Sequence, residues 1–368
     1  MAELSYFFFQ DNMYGAEMRL LNAFLYEDFI AITTTVEYKT GKPAYCRYFD
    51  CMHREIPNST WQSVFFPLTT VYCARRAGAK FVSISFEREL EPEQKSPEPI
   101  PLTFRAFPEP VHEVSMCVGP FYGADRKWLQ LIEFVEHHRN LDVSMFYFTV
   151  FNMDSYSRTA LDEYERLGLA ELTHVQTEYE QLDWQFHLIQ VHDCFHRSKY
   201  HSKWVINADI DERFTVLQPD LTLVQLLRSQ SEDVGEVNFQ ARRIQKTSFS
   251  PSRFTALRDV IENLELLKFH KTAAHTWASS KSVYRPEKVA GLTYHFSFLQ
   301  YPGVIVKYFS NKVGEFRHYR ITKMDKSIGN GWTKRDLVVE ETSLEQRLEQ
   351  ELVHRITDMV DFVYGNEP

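Results

Sequence analysis

No run of about 18 apolar residues occurs in the 368-residue chain, which excludes a transmembrane helix. The opening MAELSYFFFQDN has no basic stretch before its apolar residues, and that apolar run is too short for a signal peptide. On this reading the chain is soluble and carries no secretory address. No Cys-x-x-Cys pair exists among Cys46, Cys51, Cys73, Cys117 and Cys194, which argues against a zinc ribbon or a thioredoxin-like motif. The first three share a β-like region, where they either form a disulfide in an oxidising compartment or remain buried thiols. Negative charge exceeds positive: the net charge is -9 and the basic residues are scattered, so no broad nucleic-acid surface is expected. Gly-x-Gly-x-x-Gly after the first strand, a Walker-type loop and Gly-x-Ser-x-Gly are all missing. Rossmann dehydrogenases, P-loop enzymes and serine hydrolases therefore find no support. The single sequon, Asn58-Ser59-Thr60, is what chance supplies.

An apolar content of 44% with 15% aromatics permits a substantial core. Short β-branched and aromatic runs at 29–38, 44–49, 64–73 and 81–86 read as strands separated by Gly, Pro and Asn. Six of the fifteen prolines then fall within 87–110, which predicts an extended linker. Beyond it the period changes. Strand-like runs at 114–118, 143–151, 172–175 and 204–208 alternate with helical stripes built on Trp128, Leu161 and Trp184. Such β-α-β-α-β-α-β alternation predicts a mostly parallel sheet flanked by helices, with ligands beyond the carboxyl ends of its strands.

Asp209-Ile210-Asp211 stands at one such end. On an extended strand the two carboxylates share a face, Ile210 points to the core and Glu212 faces away. Paired carboxylates there suit a hard divalent cation that still has positions for phosphate oxygens. The alternative is a solvated turn. A phosphatase reading fails because Arg213 stands where a small hydroxyl residue is needed, and an EF-hand lacks its third ligand and glycine.

The run 193–214, DCFHRSKYHSKWVINADIDERF, resembles the central block of glycosyltransferase family 92. Tyr45-Cys46-Arg47-Tyr48, the stretch 117–128, KSVYRPEKV at 281–289 and His318-Tyr319-Arg320 resemble further blocks in the same order. The resemblance implies a GT-A type, Rossmann-like catalytic domain acting as a metal-dependent inverting transferase. It further implies galactose transfer from UDP-galactose to a glycan, such as an N-glycan or another β-galactosylated glycan, with β linkage. Mn²⁺ or Mg²⁺ on Asp209 and Asp211 would bridge the donor phosphates, with His318 or His295 as a further ligand. Lys281, Arg285 and Arg320 are candidate donor-phosphate contacts; Arg320 pairs either with phosphate or with a site aspartate. Glu212 either orients ribose or acceptor or forms a surface ion pair. The general base stays open among Glu236, Asp259, Glu262 and Glu265.

Family members work in the Golgi lumen behind an N-terminal anchor, and no anchor is visible here. The organisation expected is a β-rich region over 1–86, a linker over 87–110, the transferase domain over 111–340 and an amphipathic C-terminal helix over 341–368. The first region is either a carbohydrate-binding module or a packing extension. Ser343 and Gln346 fit a capping box for the last helix, whose stripe runs through Leu344, Leu348, Leu352, Ile356 and Val363. A second reading from another class is a catalytically inactive glycan-binding protein on a transferase scaffold.

Overall fold

The computed structural model describes residues 18–35, 41–91, 96–123, 125–175, 184–218, 221–321, 340–342 and 346–365. The chain opens with strands β1 (Leu20–Leu25), β2 (Phe29–Thr34), β3 (Pro43–Phe49), β4 (Trp61–Val64), β5 (Thr70–Ala74), β6 (Phe81–Ser85) and β7 (Ile100–Phe104). They form one sheet in the order β4-β3-β6-β7-β1-β2-β5. Alternation sends Ala44, Cys46 and Tyr48 of β3 inward against Ile30, Ile32, Val71, Val82 and Ile84. Cys46 is bonded to Cys73, whereas Cys51 is exposed and free. The expected linker is corrected in part, because 100–104 fills the gap between β6 and β1. There Ile100 and Leu102 pack on the core, and that burial outweighs the ladder donor that Pro101 lacks.

The second half begins with β8 (His112–Phe121), α1 (Trp128–Arg139), β9 (Met145–Val150), α2 (Ser155–Arg166), β10 (Ala170–His174), α3 (Trp184–Ser198) and β11 (Ser202–Ala208). The four strands pair in parallel in the order β10-β9-β8-β11. β9 is buried on both faces, which accounts for its unbroken apolar run. Trp128, Leu131, Ile132 and Val135 turn the apolar stripe of α1 to one face of the sheet. On the other face lies α3, whose Val191 and Phe195 pack with Val205 and Tyr147. A disulfide, Cys117–Cys194, ties α3 to β8. No spacing in the sequence announced this pair.

The seven-stranded sheet grips the outer side of α3. Buried Asp193 accepts from Asn22 Nδ2 (2.7 Å), Thr33 Oγ1 (2.6 Å) and Thr173 Oγ1 (2.8 Å). The Tyr26 hydroxyl donates to the His196 carbonyl at 2.6 Å. A buried carboxylate held by several donors costs more to strip than to keep, so this contact fixes the helix.

After β11 the architecture departs from expectation. The chain continues as β12 (Glu212–Val216), α4 (Leu223–Arg228), β13 (Val234–Lys246), α5 (Leu257–Glu262), α6 (Glu265–Lys268), β14 (Lys271–Thr272), β15 (Thr276–Tyr284), β16 (Val289–Leu292), β17 (Ser297–Gln300), β18 (Ile305–Tyr308), β19 (Gly314–Ile321), β20 (Glu340–Glu341) and α7 (Gln346–Tyr364). β15 joins β11 antiparallel, β13 joins β15 antiparallel, and β18 and β19 then join β13 in parallel. Strand amounts to 39% against 23% helix, so the predicted mostly parallel, Rossmann-like GT-A sheet is corrected to a β-rich fold with mixed sheets. The physical cause lies after Ala208. The chain turns back at once as β12, and β15 to β19 follow one another without helical crossovers. The parallel alternation was read correctly as far as β11 and extended too far.

The last helix packs Leu352, Ile356, Met359, Val360 and Tyr364 into the main core. Its expected cap at Ser343, and the side chains of Leu344 and Leu348, lie outside the described residues. Among those described, no helix is long and apolar enough to cross a membrane.

Candidate active site

Asp209, Ile210 and Asp211 form a tight turn between β11 and β12, not a strand extension. The Glu212 N–H donates to the Asp209 carbonyl (2.9 Å), and the Glu212 carboxylate accepts the Asp209 N–H (2.9 Å). Glu212 therefore curls back into the cluster, correcting the expectation that it faces away: alternation holds along a strand and fails across a turn. Ile210 is partly buried against the core as expected.

Four further side chains converge on the turn. Lys281 of β15 donates from Nζ to Asp209 Oδ2 (3.1 Å) and the Tyr294 carbonyl (3.2 Å), and lies 3.1 Å from Glu212 Oε2. His318 of β19 stands opposite Glu212 in the β12–β19 register, which brings Nε2 to 3.1 Å from Asp211 Oδ2 and Nδ1 to 3.6 Å from Glu212 Oε1. His187, in the first turn of α3, places Nε2 3.2 Å from Asp209 Oδ1 and stacks on Tyr294 at 5.0 Å. Arg320, two residues beyond His318, is exposed at the rim.

Charge follows from these contacts. Burial would raise the Asp209 carboxyl, but Lys281 and His187 hold it well below the usual carboxylate range. The same contest at Asp211 is won by His318, with help from Arg320, and its pKa falls. Glu212 goes the other way, because burial outweighs the pull of Lys281. Burial would lower Lys281, yet Asp209 and Glu212 raise it, so it stays a cation. His318 resists burial through Asp211, Glu212 and Asp209 and is pushed up to about 9.

Gly119 is the neighbour that makes room. β8 pairs with β11 up to Val118 opposite Ala208, which sets Gly119 beside Asp209. A Cβ at 119 would fall 2.2 Å from Asp209 Oδ1 and 3.3 Å from its Cα. Gly119 has no positive φ, so alanine suits its backbone and the clash is the whole penalty. Gly119→Ala is expected to push Asp209 off His187 and Lys281 and to lower kcat/KM about 100-fold while the protein stays folded. Steady-state kinetics beside a thermal melt check this; activity within threefold of the parent would refute the close approach.

Other sequence candidates lie elsewhere. Arg285 stacks over Trp204 at 4.5 Å and donates to Glu232 at 3.0 Å, near the opposite end of β11 from Asp209. Its expected phosphate contact is thus corrected: β15 runs antiparallel to β11, so four residues beyond Lys281 lead away from the site. His295 turns Nδ1 to the Ser280 carbonyl (2.9 Å), and burial lowers its pKa to about 4. It neighbours Lys281 without touching an aspartate. Glu236 accepts from the Ser297 N–H (2.8 Å) and Asn238 (2.6 Å), Glu262 pairs with Arg258, Asp259 with Thr255 and Glu265 with Lys246. None of the four is in the cluster. His187 and Gly119 escaped the sequence reading; the only trace of Gly119 was its place at a strand end, and His187 left none.

A buried strand leading into a turn whose three carboxylates meet Lys281 and the imidazoles of His318 and His187, with Arg320 at the rim, makes this the candidate active site. The family model of glycosyltransferase family 92 matches residues 112–354, and the chain belongs to that family. No curated protein matches the chain. Among solved structures it is similar to a β-glucuronidase from Ruminococcus gnavus, with 12% identity, 53% of this chain, 36% of that chain and a TM-score of 0.19. A Lactobacillus rhamnosus β-glucuronidase is similar at 12% identity, 50% of this chain, 36% of that chain and a TM-score of 0.17. The chain spans little more than a third of those enzymes, and at these scores the likeness carries no argument.

Proposed function

We propose that the protein is a metal-dependent inverting transferase that moves galactose from UDP-galactose onto a glycan acceptor with β linkage. The observation that carries this reading is the Asp209–Glu212 turn closed against His318 at the carboxyl end of β11. Among the described residues, no cluster of three metal-ligating side chains surrounds a common centre. The donor set nevertheless fits a divalent ion. Asp211 Oδ2 and His318 Nε2 share a hydrogen bond at 3.1 Å, and an ion would bind there by displacing the proton between them, as ligation by neutral imidazole requires.

Asp211 and His318 would hold Mn²⁺ or Mg²⁺, and Asp209 would complete the set through Oδ1. Bound there, the ion supplies neutralisation of the charge on the departing nucleoside diphosphate. The remaining roles belong to the chain itself. Lys281 keeps Asp209 ionised and in place. Glu212, with a side chain only 2% exposed, holds the turn and does not meet substrate. Arg320 offers a rim cation to donor phosphate. Two disulfides support an oxidising compartment, which we take to be the Golgi lumen. An N-glycan or another β-galactosylated glycan is the acceptor we favour.

A donor screen reading free UDP tests the assignment. UDP-galactose turnover that needs both Mn²⁺ and a glycan acceptor is the expected result. Absence of turnover with every UDP-sugar, with and without Mn²⁺, would sink it.

A further inference from the structure

An exposed aromatic pair lies beside the cluster and takes no part in it. Trp277 of β15 is 43% exposed and Tyr308 of β18 is 67% exposed, and their rings meet edge to face at 5.4 Å across β13. Two large aromatic rings left in water on one strand face are unusual for a surface that only needs to be solvated. Phe296, at the tip of the β16–β17 hairpin, is also half exposed.

Register places the pair on the site's side of the sheet. Val205 pairs with Tyr284, and Tyr284 with Glu236, so these three share a face. Alternation carries that face from Glu236 to Asn238, and Asn238 pairs with Tyr308; α3 packs on Val205 and Tyr284 from the same face and brings His187 to Asp209. Trp277 precedes Lys281 by four residues, a reach of at most about 14 Å. Because β15 runs antiparallel to β11, that step leads past the carboxyl end of β11, where Asp209 stands. Ser280, between them, accepts from His295 through its carbonyl.

Hydrogen-bonding groups edge the rings. His275, two residues before Trp277, meets Glu315 (2.6 Å) through Nε2 and Asn311 Nδ2 (3.2 Å) through Nδ1. Asn311 follows Tyr308 by three residues, and neither it nor His275 is buried. Flat apolar faces with amide and imidazole groups at their margin match a pyranose, which shows C–H bonds on its faces and hydroxyls at its edge.

We propose that Trp277 and Tyr308 form a glycan subsite on the acceptor side, one to three sugar units from the reacting centre, with Asn311 meeting hydroxyls. The chemical class of this ligand rests on the transferase reading above, since a transferase must hold the glycan it extends. A chain of pyranoses covers the span of at most about 14 Å between Lys281 and Trp277 and can fill both places at once. Length dependence is therefore the signature of this subsite.

The test uses the full chain and its Trp277→Ala, Tyr308→Ala and Phe362→Ala variants. Phe362 is as exposed (56%) but sits on α7. Binding of defined neutral oligosaccharides of one to five residues, β-1,4-galacto-oligosaccharides and N-glycan fragments among them, is measured by calorimetry without donor. Affinity is expected to rise with length in the parent, and to fall at least tenfold in the Trp277 and Tyr308 variants for the longer ligands. Phe362→Ala should bind like the parent, and all three variants should melt like it. Equal binding by parent and Trp277→Ala, or no binding by the parent, overturns the subsite. Turnover of donor to free UDP is read separately, so a transferase that fails in the screen while the variants still lose glycan binding leaves the subsite standing and removes only the catalytic reading.

Discussion

Asp211→Asn is expected to abolish the joint stabilisation of the protein by Mn²⁺ and UDP, and with it turnover. A ligand at about 100 times its dissociation constant raises stability by about 2.7 kcal/mol, which a thermal melt resolves readily. Asparagine keeps the size of the side chain and its backbone role, since the contact from the Tyr319 N–H is to the Asp211 carbonyl and survives the change. What it loses is the anionic oxygen that faces His318 Nε2 at 3.1 Å. A hard cation gains little from a neutral amide in a site where other carboxylates already have partners. Turnover is expected to fall at least about 1000-fold, the order that follows when a charge-stabilising contact to the leaving group is lost. The parent melt without ligands should change little. If Asp211→Asn still shows the full melting shift with Mn²⁺ and UDP, the ion is not held by this turn.

Much of this site was legible because strand periodicity is a local property. The run 204–208 announced a strand, the alternation before it announced parallel neighbours, and together they put Asp209 and Asp211 at a ligand-facing end. Glu212 defeated the same rule, because a turn of three residues breaks the alternation and only the bond from the Asp209 N–H reveals where the carboxylate goes. His187, Gly119 and Lys281 meet Asp209 from α3, β8 and β15, at separations of 22, 90 and 72 residues, counted by subtraction of their numbers. No local pattern reports which residue lies opposite another across a sheet, and register does so only after folding. Arg285 illustrates the cost: it shares a short motif with Lys281, yet the direction of β15 carries it away from the site. The mixed half of the sheet was hidden for a related reason. Strands from β15 to β19 carry ordinary β-branched and aromatic runs, and nothing in such runs states whether a neighbour is parallel.

Lys281→Met should cost the folded protein about 3–5 kcal/mol, the range found when one partner of a buried ion pair is removed. The reason is asymmetry. Lys281 and Glu212 are each only 2% exposed in their side chains, and the ammonium also serves Asp209 and the Tyr294 carbonyl. Methionine matches the length of the stem and fills its volume, so packing changes little and the loss is electrostatic. Glu212 is then left as a buried carboxylate beside the like charges of Asp209 and Asp211, with His318 at 3.6 Å as its cationic neighbour. Asp209, 30% exposed, can be served by water and contributes less. It follows that Lys281→Met combined with Glu212→Gln should recover a large part of the loss, because the buried charge disappears together with its partner. Urea midpoints with an unchanged denaturant slope measure both variants. A single-variant loss below about 1 kcal/mol would mean that the carboxylates do not depend on Lys281. A double variant no better than the single one would place the cost in packing and not in charge.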